Sequence, residues 1–111
     1  MEIGFILTKT PAEEGYNTFI RFLDLFIESD NIIIYLLGNG VYNFRKMHLP
    51  SEELMKRLNG SKRESKIFAC LDDMKARGIN EEMLLGDVVT FESYNELILN
   101  LMENMDQVFT F

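Results

Sequence analysis

Cysteine, histidine and tryptophan are scarce in this chain of 111 residues. It contains one cysteine, Cys70, one histidine, His48, and no tryptophan. A single cysteine cannot form a disulfide within the chain, which argues against a disulfide-stapled secreted scaffold and favours a reducing, cytoplasmic setting. A zinc site with one Cys and one His would need carboxylates as its other ligands, which is unusual, so we predict no metal.

Long apolar runs and an excess of positive charge are also missing. The longest apolar stretch, Ile32 to Leu37, is far too short to span a membrane, and Met1 to Gly4 lacks the basic region of a signal peptide. The 11 Lys and Arg residues are outnumbered by 18 Asp and Glu residues, which gives a net charge of −7. Such a surface repels phosphate backbones, so we expect neither nucleic acid nor a membrane as a partner.

Apolar and aromatic residues are plentiful enough to build a folded core. Hydrophobic residues make up 47% of the chain, with nine Phe and four Tyr, so disorder is excluded. A length of 111 residues fits one domain of ordinary size. Because no linker or internal repeat divides the sequence, we predict a single domain over residues 1–111.

β-rich runs alternate with helix-like stretches along the chain. The strand-like runs are Ile3–Leu7, Ile32–Leu37, Lys66–Cys70, Asp87–Phe91 and Gln107–Phe111. A helix-like stretch follows each of the first four runs, and a capping box from Ser93 to Glu96 marks the start of the last one. This alternation predicts an α/β three-layer sandwich with a five-stranded, mostly parallel sheet and helices on both faces.

The first helix-like stretch carries a wide apolar stripe. Its apolar positions at helical spacing are Tyr16, Phe19, Ile20, Leu23, Phe26 and Ile27. Phe22 and Leu25 extend the stripe beyond one face of the helix. A helix that is apolar over so much of its surface is expected to be covered by something besides its own sheet.

The carboxyl ends of the strands are the expected place for a functional site. Ligands of parallel sheets bind beyond these ends, and three segments should reach that edge. The segments are Thr8 to Gly15, Gly38 to Tyr42, and Cys70 to Asp73.

Cys70 has two opposing interpretations. It should end the third strand at the start of a short helix, where backbone amides favour the reactive thiolate. However, free cysteine is among the most buried residue types, and the negative charges of Asp72 and Asp73 oppose ionisation. The sequence therefore leaves open whether Cys70 is a nucleophile or a small buried hydrophobic residue.

Other candidate chemistry is less specific. The turn Gly38-Asn39-Gly40 could present amides to an anion, but it lacks the rest of a phosphate-binding motif and is equally typical of a tight turn. His48 could act as a base for Cys70, although nothing in their spacing tests this pairing. A receiver-type phosphorylation site is excluded because no acid pair ends the first strand at Leu7-Thr8-Lys9.

Several short motifs together resemble those of a known family. They are the opening strand Ile3–Leu7, the turn Gly38-Asn39-Gly40-Val41-Tyr42, the strand end at Cys70, Ala76-Arg77-Gly78-Ile79, and Leu84-Leu85-Gly86-Asp87-Val88. Their order over nearly the whole chain is similar to that of the DsrE/DsrF-like family of small sulfur-relay proteins, which includes TusD-like subunits. The spacing from Cys70 to Arg77-Gly78 is the most specific part of the resemblance.

The resemblance implies a function and an assembly. It implies that Cys70 accepts sulfane sulfur as a persulfide from a donor protein and passes it to an acceptor protein. It also implies a homo-oligomer, a trimer or hexamer, which would cover the broad first helix.

The residues expected around Cys70 complete this hypothesis. They are Gly38, Asn39, Gly40, Tyr42, Leu71 and Asp72. The alternative hypothesis is a non-catalytic binding or scaffold subunit of the same fold, with a small-molecule or partner pocket at the strand ends. No flavin phosphate loop is recognisable, so we predict no cofactor.

Overall fold

The computed structural model describes residues 1–111 as five β-strands, four α-helices and two short 3₁₀ helices. The strands are β1 (Glu2–Leu7), β2 (Asn31–Leu36), β3 (Ser65–Cys70), β4 (Val88–Phe91) and β5 (Gln107–Thr110). The α-helices are α1 (Tyr16–Phe26), α2 (Leu49–Asn59), α3 (Leu71–Ala76) and α4 (Tyr94–Asn104). The 3₁₀ helices span Gly38–Tyr42 and Glu81–Met83. None of the helices combines the length and the apolar character needed to cross a membrane.

The five strands form one parallel sheet in the order β4-β3-β2-β1-β5. The predicted α/β fold is therefore confirmed. From β1 to β4 the chain moves across the sheet in one direction, and right-handed crossovers then place α1, α2 and α3 on one face. The connection from β4 to β5 runs back in the opposite direction, so α4 alone lies on the other face.

The two faces of the sheet carry two hydrophobic clusters. β2 lies in the centre, and its side chains alternate between the clusters: Ile32, Ile34 and Leu36 face α1 and α2, whereas Ile33 and Tyr35 face α4. The larger cluster has 19 buried residues and the smaller has five, Cys70 among them. A continuous β-branched run fits this central position because both faces are covered.

Much of the wide apolar stripe of α1 is covered from within the chain. The rings of Phe22 and Phe109 are 5.3 Å apart, as are those of Phe22 and Phe111. The ring of Phe26 stacks on Phe109 at 5.5 Å. β5 and the residue after it thus supply rings that cover this part of the stripe, and cover by something besides the sheet stays a prediction for the remainder. Among the large apolar residues of α1, only Leu25 is largely exposed, at 70%.

The turn after β2 depends on two glycines. Gly38 has a φ of +53°, in the left-handed region that side chains disfavour. A Cβ atom on Gly40 would lie only 1.8 Å from the carbonyl oxygen of Leu7. The 3₁₀ helix can therefore pack tightly over the end of β1, and it brings the amide of Gly38 towards α3.

Candidate functional site

A cleft opens where the chain leaves β3 and β4 in opposite directions. After β3 it turns to α3 on the face with the larger cluster, and after β4 it turns to α4 on the other face. Such a switch point at the carboxyl ends of parallel strands is the usual place for a ligand crevice. The cleft has a volume of about 430 Å³ and is lined by Cys70, Asp72, Asp73, Ser93, Tyr94 and Asn95.

Cys70 forms part of the wall of this cleft but is almost sealed. It is the last residue of β3 and the residue before α3, and only 1% of it is exposed. Its side chain belongs to the smaller cluster, together with Tyr35, Phe91 and Leu97. The position at the strand end agrees with the sequence prediction, whereas the low exposure agrees with the interpretation of Cys70 as a buried hydrophobic residue.

The surroundings of Cys70 favour the thiol over the thiolate. Burial raises the pKa of Cys70, and the neighbouring Asp73 carboxylate raises it further. The backbone amides of Asp73 and Asp72 act in the opposite direction, as expected at a helix start. Because burial is the largest of these influences, the net pKa of the thiol is raised.

Asp73 is the centre of a hydrogen-bond network across the cleft. Its carboxylate accepts 2.8 Å hydrogen bonds from the amide of Gly38 and the hydroxyl of Tyr94, and the Arg77 guanidinium lies 3.9 Å away. The side chain of Cys70 is also near enough to lower the pKa of Asp73. Burial alone would raise the pKa of Asp73, but these donors and the Arg77 charge together lower it. The hydrogen bond from Tyr94 to Asp73 raises the pKa of Tyr94 to about 12.

The turn Gly38-Asn39-Gly40 donates a hydrogen bond to the carboxylate of Asp73. The amide of Gly38 is used by Asp73, so it is not free for an external anion. The side chain of Asn39 accepts a 3.0 Å hydrogen bond from Arg77 and donates one of 3.3 Å to Glu13. These contacts connect the loop after β1, the turn after β2 and α3 into one layer.

The structure brings only some of the sequence-predicted site residues together. Cys70 and Asp72 line the cleft, and Gly38 reaches it through Asp73. The others are not part of its lining: they are Asn39, Gly40, Tyr42 and Leu71. Tyr42 instead packs under the guanidinium of Arg45, 5.4 Å from the ring centre.

Sequence reasoning missed the other side of the cleft, which Ser93, Tyr94 and Asn95 form. The sequence did contain a signal for this side of the cleft, because the capping box marked the start of α4 directly after a parallel strand. Ser93 does precede α4, but its side chain makes no capping hydrogen bond.

His48 does not act on Cys70 in this structure. Its Nδ1 atom is 2.6 Å from the hydroxyl of Ser51 at the start of α2. Burial lowers the pKa of His48, and the nearby charge of Arg45 lowers it further. The groups that influence Cys70 come from Asp72 and Asp73 instead. No group of three or more His, Cys, Asp or Glu side chains is placed to hold a metal ion.

Comparisons with known proteins agree over the full length of the chain. The sequence profile of the DsrE/DsrF-like family matches residues 1–111. An uncharacterized protein of Methanocaldococcus jannaschii, MJ0989, is 32% identical, with 100% of both chains covered. A protein of Aliivibrio fischeri named "Protein TusC homolog" is 30% identical, with 98% of both chains covered.

Two solved structures share the fold. A protein of unknown function from Methanobacterium thermoautotrophicum, MTH1491, superposes with a TM-score of 0.77 at 16% identity, over 98% of this chain and 97% of the other. The ychN protein of E. coli superposes with a TM-score of 0.65 at 13% identity, over 99% and 97%. At these identities, the likeness concerns the fold alone.

Proposed function

Because this chain belongs to the DsrE/DsrF-like family, we propose that it is a partner-binding subunit of a sulfur-relay assembly. In this proposal the cleft between β3 and β4 faces the partner, and Cys70 remains a thiol that helps to hold the cleft together. The observation that carries the proposal is the burial of Cys70, of which only 1% is exposed.

A sulfur carrier needs a thiolate that another protein can reach. The Cys70 thiol is covered, and burial and the neighbouring Asp73 carboxylate both raise its pKa. Each of these features keeps the proton on sulfur and slows nucleophilic attack. They support a structural role for Cys70 better than a covalent one.

Sulfur relay is the process that the relatives suggest. The Aliivibrio fischeri relative is named for TusC and is similar over nearly the whole of both chains. The family resemblance implies protein partners that donate and accept sulfur. A cytoplasmic homo-oligomer, a trimer or hexamer, is part of the same proposal.

A second candidate function is sulfur transfer through Cys70 itself. One observation favours it: Cys70 lines the cleft, and the amides of Asp72 and Asp73 act on its sulfur. The Cys70 thiolate would attack the outer sulfur of a donor persulfide, forming a new S–S bond and releasing the donor as a thiolate. An acceptor thiolate would then attack the outer sulfur of the Cys70 persulfide, restoring the Cys70 thiolate and forming the acceptor persulfide.

Intact mass after incubation with a small polysulfide separates the two functions. If Cys70 is structural, the folded protein gains no sulfur atom, while the urea-unfolded protein gains one at Cys70. A gain on the folded protein that disappears in Cys70→Ser would instead support the carrier.

The partner-binding proposal has a separate test. Cross-linking in the native host, followed by mass spectrometry, should capture sulfur-relay proteins with the wild type and equally with Cys70→Ser. Absence of any sulfur-relay protein from both captures would contradict the proposal.

A further inference from the structure

The net charge of the chain is confined to its last third. Residues 1–77 contain 11 acidic and 11 basic residues, so they are neutral overall. Residues 78–111 contain seven acidic residues and no Lys, Arg or His, so they carry the entire net charge of −7. This segment builds β4, α4 and β5, including the only helix on its face of the sheet.

The acidic residues of this segment are exposed and have no cationic partner. They are Glu81, Glu82, Asp87, Glu92, Glu96, Glu103 and Asp106. None of them takes part in any of the four ion pairs of the chain. Two accept other hydrogen bonds, Glu81 from the Thr90 hydroxyl and Asp106 from the Glu2 amide. The uncompensated charge therefore faces solvent.

The apolar stripe of the helix in this segment is wider than the part that packs on the sheet. Leu97, Leu101 and Met105 face the smaller cluster. On the outer side, Ile98 is 51% exposed, Leu99 58% and Met102 79%, and the half-exposed Tyr94 precedes them. These exposed apolar residues form a strip on α4 within an acidic surface.

We infer that the α4 face, formed by Tyr94, Asn95, Ile98, Leu99 and Met102, docks another protein whose contact surface is apolar at its centre and basic at its rim. This inference rests on the proposed function and adds to it the surface and the chemistry of the partner. Charge complementarity of this kind selects partners and speeds their encounter.

The charge distribution disfavours a two-fold related copy, an anionic lipid surface or a nucleic acid on this face. In a two-fold dimer the same patch meets itself, so two copies would bring their unpaired carboxylates together. Two basic residues of the chain have partners elsewhere: Lys66 lies 3.9 Å from Glu64, and Arg77 binds Asp73 and Asn39. Anionic lipid surfaces and nucleic acids are repelled by the same charge.

The α4 face is continuous with the cleft beside Cys70. Tyr94 and Asn95 belong to both, because they line the cleft and begin α4. A protein seated on Ile98 and Met102 therefore lies next to the hydrogen bond between Tyr94 and Asp73. The docking surface and the cleft form one contact region.

Site-specific photo-cross-linking in the native host tests the surface. A photoreactive phenylalanine replaces Met102, and the matched control replaces Leu25, which is also exposed and apolar but lies on α1 across the sheet. We expect the Met102 position to capture a different protein through a segment rich in Lys and Arg, and the Leu25 position to capture none. The inference is overturned by capture of a second copy, capture through a segment without basic residues, equal capture at Leu25, or no capture.

Titration of the captured, purified partner tests the charge. The double variant Glu96→Lys/Glu103→Lys should weaken binding by about tenfold or more, since close like charges oppose association. The control Glu28→Lys/Glu53→Lys changes as much exposed charge on the opposite face and should bind like the wild type. Equal binding by both variants overturns the inference.

The two proposals can fail separately. A basic partner outside sulfur relay, captured at Met102, sustains the docking surface and contradicts the proposed function. A sulfur-relay partner that is captured only from other positions supports the proposed function and contradicts the docking surface.

Discussion

The hydroxyl of Tyr94 donates a 2.8 Å hydrogen bond to the carboxylate of Asp73, which also accepts one from the amide of Gly38. Tyr94 begins α4 and Asp73 lies in α3, so this bond joins two helices that leave the sheet on opposite faces. It closes the cleft above the sulfur at the point where the two chain segments diverge.

Removal of this bond should expose Cys70. Tyr94→Phe keeps the ring but deletes the donor, and a hydrogen bond of this kind contributes about 1 kcal/mol, which corresponds to about fivefold more frequent opening. We expect Cys70 in the folded variant to react with iodoacetamide about fivefold faster than in the wild type. Tyr42→Phe, which removes a hydroxyl outside the cleft lining, should leave the rate unchanged. Equal rates in all three proteins would show that the bond does not control access.

Asp73 should make stability depend on pH in the acidic range. Its pKa is lower in the folded protein than its ordinary value. The carboxylate therefore stabilises the fold above its unfolded-state pKa of about 3.9 and loses this contribution as the pH falls through the folded-state value. We expect the difference in unfolding free energy between wild type and Asp73→Asn to be largest at neutral pH and to shrink with acidification. Urea titrations across this pH range measure the difference in unfolding free energy. Asp87→Asn, at an exposed site, is the control. A difference for Asp73→Asn that does not change with pH would contradict the assignment.

Gly40 should be the least replaceable glycine of the chain. An added Cβ would meet the Leu7 carbonyl oxygen at 1.8 Å, and this backbone atom cannot move without disturbing β1. We expect Gly40→Ala to lower the unfolding free energy by about 3 kcal/mol or more, whereas substitutions without such a clash stay within about 0.5 kcal/mol. Gly86→Ala is the matched control because nothing lies within 4 Å of its added Cβ. Urea denaturation of both variants compares them directly, and similar midpoints would refute the close approach.

The aromatic contact between α1 and β5 should carry much of the stability of the sheet edge. Phe22 packs on Phe109 and Phe111. We therefore expect Phe22→Ala to lower the unfolding free energy by about 3 kcal/mol. This value is at the lower end for a core phenylalanine because Phe22 is only partly buried. Leu25→Ala on the exposed side of α1 should cost less than about 0.5 kcal/mol. A double-mutant cycle of Phe22 and Phe109 should give a coupling of about 1 kcal/mol. A coupling of zero would mean that another surface covers Phe22.

The sequence could predict the elements because their signals are local. The continuous β-branched run of β2 indicated a strand covered on both faces, and the alternation of elements indicated a parallel sheet. The start of α1 is harder to place from the sequence, because Thr10, Pro11 and Glu13 have the residue types of a helix start. In the structure, Thr10 and Glu13 bond to each other in a turn, and the helix begins only after Gly15, whose φ is +95°.

The sequence by itself determined the strands, the helices and the position of Cys70 at a strand end, because hydrophobic period and capping residues act over a few neighbouring positions. Only the tertiary structure decided which strand ends are neighbours. The order β4-β3-β2-β1-β5 brings Tyr94 beside Asp73, 21 positions away along the chain, and places Phe91 and Leu97 against Cys70. Exposure and pKa depend on these distant neighbours, so no local pattern around Cys70 could have indicated that its thiol is covered.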